Sequence, residues 1–92
     1  MAAEAKFQAK LKRQYEKGGW FVLRLITATG TGMKSGIPDL VVMKPHGTEP
    51  GVMNVKFIEV KAKTGRISPL QEYAMGELEK FGFEVELARE EK

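Results

Sequence analysis

Two apolar runs, each interrupted by charge, constrain this chain more than any other feature of it. They are Ile37-Pro38-Asp39-Leu40-Val41-Val42 and Phe57-Ile58-Glu59-Val60-Lys61. Both read as buried β-strands. Strand side chains alternate faces, so Glu59 and Lys61 share one face while Ile58 and Val60 take the other. A carboxylate and an ammonium among Ile and Val are costly to desolvate unless paired, hydrated or bound to a metal. Brought together at the ends of neighbouring strands, Asp39 and Glu59 would form a hard-oxygen site suited to Mg²⁺ or Mn²⁺. Lys61 would then stand beside the ion and any phosphate docked on it.

Residue usage removes most competing chemistries. The 92-residue chain has no cysteine and one histidine, His46. Disulfides, thiolate zinc sites, cysteine nucleophiles and multi-histidine metal sites are therefore excluded. His46 falls in a polar turn region, which argues against a Ser-His-Asp triad. The length fits a single domain spanning residues 1–92, small enough that oligomerisation is a natural way to complete its core. No apolar run approaches membrane-spanning length and no signal-peptide pattern opens the chain, so the expected location is cytoplasmic, without membrane association. Charge is unevenly spread: residues 1–36 hold seven Lys/Arg against two Glu, residues 67–92 three against seven Glu. A basic N-terminal third is compatible with a polyanionic partner, and equally with an ordinary solvated helix face.

Local patterns place these residues on elements. Over 3–17, Phe7, Leu11 and Tyr15 recur at helical spacing, with Lys6, Lys10, Lys12, Arg13, Glu16 and Lys17 off that stripe. Glu4 falls between Leu11 and Tyr15 in helical projection, the one charged residue on the buried side. It reads either as a first-turn acid meeting the helix dipole or as a member of the acidic site. Gly18-Gly19 ends the helix. Trp20–Ile26 is so continuously apolar that a central strand is expected. Residues 28–36 form a glycine-rich loop with Lys34 and Ser35. It resembles a phosphate-binding P-loop, but Met33 replaces the glycine before the lysine and the loop leads into a strand, so that reading is rejected. Strands over 39–43 and 55–62 form an antiparallel hairpin, setting Asp39 and Glu59-Lys61 at one end. A basic loop with Lys63 and Arg66 follows. Ser68-Pro69-Leu70-Gln71 opens a second helix as a capping box. Its inward stripe is expected to be Leu70, Ala74, Leu78 and Phe81. Gly82 closes it, and Phe83–Leu87 is the last strand, parallel to the third.

Taken in order, Gly36-Ile37-Pro38-Asp39-Leu40, Ile58-Glu59-Val60-Lys61 and Ser68-Pro69-Leu70-Gln71, with Glu4 in an N-terminal helix, resemble a PD-(D/E)XK nuclease of the small VRR-NUC group. The likeness runs over nearly the whole chain. It implies an α/β, restriction-endonuclease-like α-β-β-β-α-β fold with a four-stranded mixed sheet flanked by helices. It also implies a Mg²⁺- or Mn²⁺-dependent DNA endonuclease. Carried onto this sequence, it makes Asp39, Glu59 and the Val60 carbonyl the metal ligands. Glu4 completes the acidic site directly or through a water. Lys61 positions or helps deprotonate the attacking water, and Gln71 orients water or Lys61. Lys34, Ser35, Lys63 and Arg66 are the expected nucleic-acid contacts. Stand-alone members of the group are associated with bacteria and phage. Their similarity to Holliday junction resolvases implies a homodimer acting on branched or duplex DNA, in a bacterial or phage-infected cell. Two other readings stay open: a catalytically silent nucleic-acid-binding module of the same fold, and an interaction protein in which Lys61 forms ordinary ion pairs.

Overall fold

The computed structural model describes residues 3–25 and 36–90. Lys34, Ser35 and the rest of the glycine-rich loop before Gly36 lie outside the described residues, as does Ile26. Six elements follow one another: α1 (Ala3–Lys17), β1 (Phe21–Arg24), β2 (Leu40–Pro45), β3 (Met53–Lys61), α2 (Pro69–Lys80) and β4 (Glu84–Arg89). The strands make one mixed sheet in the order β1-β2-β3-β4. The first three are antiparallel, and β4 runs parallel to β3 after the α2 crossover. This is the α-β-β-β-α-β arrangement the sequence implied.

Strand alternation divides the sheet into two faces. On one, Val22, Leu40, Val42, Ile58, Val60 and Ala88 form the core, and α1 closes over them with Phe7, Leu11 and Tyr15, joined by Trp20. Leu40, Val42, Ile58 and Val60 are completely inaccessible. Burying each such side chain is worth about 1.5–3 kcal/mol, so this face carries most of the fold's stability. Next to the helix lies a charged exception: the Lys56 ammonium sits 2.7 Å from Glu86 and 3.9 Å from Glu84, over the ring of Tyr15.

The opposite face is thinly covered. It bears Phe21, Leu23, Val41, Phe57 and Glu59, and α2 lies towards β3 and β4. Here two expectations are corrected. The first strand is an edge rather than a central strand, pairing with β2 alone. Among the described residues no helix lies over β1 on the α2 side, and Phe21 is 62 % and Leu23 42 % exposed. Apolar sequence alone does not say what will cover it. The helix stripe is likewise half realised. Ala74 and Leu78 are partly buried, but Leu70 and Phe81 stand open to solvent and α2 has no fully buried residue. The truly central strands show themselves by consecutive burial, Leu40-Val41-Val42 in β2 and Ile58-Glu59-Val60 in β3.

Candidate active site

Just before β2 begins, the chain runs beside the C-terminal part of β3. The Asp39 N–H donates to the Ile58 carbonyl at 3.1 Å, and the Asp39 carbonyl accepts from the Leu25 N–H at 2.8 Å. These bonds anchor the backbone of Asp39 just before the ladder starts. Its side chain then turns to β3, and Oδ2 accepts the Val60 N–H at 2.8 Å. In an antiparallel ladder the N–H and C=O of one residue leave the strand on the same side, so the Val60 carbonyl also faces the Asp39 side.

Glu59 follows on the other face and is 1 % exposed, the one buried charged residue among the described residues. Its Oε2 accepts a hydrogen bond from Gln71 Nε2 at 2.7 Å and lies 3.8 Å from the Lys61 ammonium. Its Oε1 is buried without a hydrogen-bond partner. Burial raises the Glu59 carboxyl to about 7, and the neighbouring charge of Asp39 pushes the same way, only partly offset by Lys61. Glu4, at the start of α1, adds to this load through its charge. A buried carboxyl beside a second carboxylate, with one cation close by, is short of positive charge.

Gln71 serves two purposes with one amide group. Its Oε1 accepts the Ser68 N–H at 2.9 Å while Ser68 Oγ accepts the Gln71 N–H at 3.1 Å, the reciprocal capping box expected from the sequence. That leaves Nε2 free to hold Glu59. Gly36 brings this helix start against the approach to Asp39. It has φ +86°, and a Cβ there would collide with the Leu70 carbonyl. Position 36 thus needs glycine for both conformation and space.

Asp39, Glu59, the Val60 backbone, Lys61 and Gln71 are therefore brought together. Glu4 is near enough to be felt electrostatically but does not complete a cluster: among the described residues, no three acidic or histidine side chains stand close enough to enclose an ion. Lys63 and Arg66 are exposed on the loop after β3. No Asp39–Lys61 ion pair forms among the described residues, so Lys61 pairs with Glu59 alone. One contributor escaped the sequence reading. Arg89, opposite Lys61 in the β3–β4 register, donates to the carbonyls of Ala62, Lys63 and Gly65 and fixes the loop that follows Lys61. Its only signal was being one of few basic residues in the acidic C-terminal third.

The donors suit a hard divalent cation. They are oxygens alone, one of them buried and unpartnered, beside a backbone carbonyl and a second carboxylate. His46 lies past the far end of β2, about 20 Å along the strand, and takes no part.

A model of the VRR-NUC domain family matches residues 4–91, which includes every residue of the site. Neither the curated proteins nor the solved structures contain a match to the chain. The family match takes in nearly the whole sequence, and on it the chain belongs to the VRR-NUC domain family, whose members are nuclease-type domains.

Proposed function

We propose that the protein is a Mg²⁺- or Mn²⁺-dependent DNA endonuclease, selective for branched DNA such as four-way (Holliday) junctions, and active as a homodimer. The observation that carries the metal-dependent reading is the Asp39–Glu59 pair, with its buried and unpartnered Glu59 Oε1. Asp39, Glu59 and the Val60 carbonyl would hold the ion. When bound, it supplies Lewis-acid polarisation of the phosphodiester and neutralises its charge. Gln71 keeps the Glu59 carboxylate from rotating away. Lys61 orients the attacking water and offsets the negative charge that develops on the phosphate oxygens as the new P–O bond forms and the ester P–O bond breaks. Glu4 tunes the site through its charge.

The dimer rests on the thinly covered face. Phe21, Leu23, Ile37, Leu70, Tyr73 and Phe81 are all more than 40 % exposed. A groove runs between Ile37, Phe57 and α2, and among the described residues Glu77 is the single charged side chain lining it. A polyanion finds no cation in that groove, whereas a second copy of the same face would bury apolar surface against apolar surface. Two sites related by a two-fold axis would suit paired cuts in opposed strands of a junction.

The test is incubation of the purified protein with plasmid and four-way junction DNA, in Mg²⁺, Mn²⁺ or EDTA, with light scattering for mass. Junction cleavage with metal and none with EDTA, from a dimer, is expected. Cleavage of linear duplex as fast as of the junction would remove the branched-DNA preference. DNA binding without cleavage in either metal would favour the silent binding module. A cutting monomer would remove the dimer.

A further inference from the structure

A second surface lies between α1 and β1. Ala5, Gln8, Ala9 and Lys12 recur at the spacing of one helical face and, with Arg24, line a cleft of about 430 Å³. Arg24 lies two residues beyond the buried Val22 and so points to the α1 side of the sheet. It is exposed, and among the described residues no carboxylate pairs with it. Other cations are engaged: Lys56 holds Glu86, Arg89 holds loop carbonyls, and Lys44 donates to the Gly18 carbonyl. Lys12 pairs with Glu16, but both are well exposed, so an incoming anion displaces that pair at little cost.

The β1 wall of the cleft is tied through the backbone to Asp39. Arg24 faces Leu40 across the ladder, and the next residue, Leu25, donates its N–H to the Asp39 carbonyl. On the other wall, Ala5 follows Glu4, whose charge reaches Glu59. From Ala5 to Lys12 the helix rises about 10 Å. That length matches two or three successive phosphates of a DNA strand, at about 3.4 Å of axis per charge. We propose that this cleft seats the phosphodiester backbone of a DNA strand next to the scissile position. Arg24 and Lys12 are its phosphate-binding groups and Gln8 an additional donor. The proposal rests on the nuclease reading and adds the path by which a strand reaches Asp39 and Glu59.

The experiment is fluorescence anisotropy of labelled four-way junction and duplex DNA in EDTA, where cleavage does not intervene, over a range of salt concentrations. Arg24→Ala is expected to weaken binding about tenfold and to lower the salt slope by about one. Lys12→Ala with Arg24→Ala should lower the slope by about two, and Arg24→Lys should restore most of it. Lys80→Ala, on the exposed side of α2, is the control and should match the wild type. Ala9→Glu places a carboxylate in the cleft on an exposed helical position, and is expected to weaken binding at least as much as Arg24→Ala. It keeps the test decisive if Arg24→Ala fails to fold by circular dichroism. Wild-type affinity and slope in the folded cleft variants would overturn the cleft alone. Absence of DNA binding by the wild type would overturn the nuclease reading and the cleft with it.

Discussion

Two charged clusters on β3 stand three residues apart on opposite faces of the sheet, and their chemistry is opposite too. At Lys56, burial by itself would lower the ammonium's affinity for its proton. Hydrogen bonds to Glu86 and Tyr15 more than reverse that, and the group is held above its ordinary value. Its ammonium has a close carboxylate partner in Glu86 and a second, more distant one in Glu84. At Glu59, burial and Asp39 act together, the carboxyl rises to about 7, and one oxygen is left without a partner. The same strand therefore uses buried charge in two ways. One cluster pairs its buried charge within the chain, and the other leaves a buried carboxylate oxygen without a partner, which is where the proposed cation would bind.

The comparison is broken most directly by activity. Asp39→Asn, Glu59→Gln and Lys61→Ala should each lower cleavage by about a thousandfold or more, measured on circular-dichroism-verified protein. Lys56→Ala should leave the rate per folded molecule unchanged. A well-folded Asp39→Asn protein that cut DNA at the wild-type rate would remove the site. Asparagine is the better probe than alanine, because it can still accept the Val60 N–H.

Stability against pH comes next. Glu59 has a folded value of about 7 against an ordinary 4.5, so the folded state binds its proton more tightly. Its contribution is fully present below about 4.5 and is lost as pH rises through about 7. The loss in metal-free protein is on the order of 3 kcal/mol, readable from urea titrations across that window. Lys56, raised instead from 10.5, holds its contribution until the pH climbs past that value. A flat profile between pH 4.5 and 7 would mean that Glu59 is not strained by its surroundings.

Smaller, but opposite in sign, are the single substitutions. In EDTA at pH 8, Glu59→Gln should raise the free energy of unfolding by on the order of 2 kcal/mol, because it removes the unwelcome charge. Lys56→Ala should lower it by about 1 kcal/mol, since Glu86 loses a mostly buried partner at the edge of solvent. Added Mg²⁺ should raise the wild-type melting temperature and leave that of Glu59→Gln unmoved. Smallest is Glu4→Gln: melting temperature nearly unchanged, with a modest fall in cleavage and a higher Mg²⁺ requirement. Unaltered cleavage and a stability loss of at most about 1 kcal/mol would leave Glu4 as a dipole partner only.

The acidic site was legible because burial and charge conflict within single short segments. Asp39 and Glu59 announce themselves against Leu40, Val41, Ile58 and Val60, and the hairpin between them fixes the register. The capping box was readable because it is local to Ser68 and Gln71. For the second role of Gln71 the resemblance implied water or Lys61 as the partner, whereas the amide's Nε2 holds Glu59 while Oε1 completes the cap. What the sequence concealed depends on tertiary neighbours. Phe21 and Leu23 look as apolar as Val41 and Val42, yet only the latter have a strand on both sides. Leu70 and Phe81 sit on the expected helical stripe but stand open to solvent over the groove beside Phe57. Arg89 reaches loop carbonyls more than twenty positions back in the chain, a distance that no local pattern encodes.

Because one Gln71 amide both starts α2 and holds Glu59, fraying of that helix and disorder at the carboxylate are a single opening event. The protection of the Ser68 and Gln71 amides against hydrogen exchange then reports on the site from outside it. Any cation that fixes Glu59 should slow exchange at those two amides together, while the far end of α2, near Lys80, keeps its own rate.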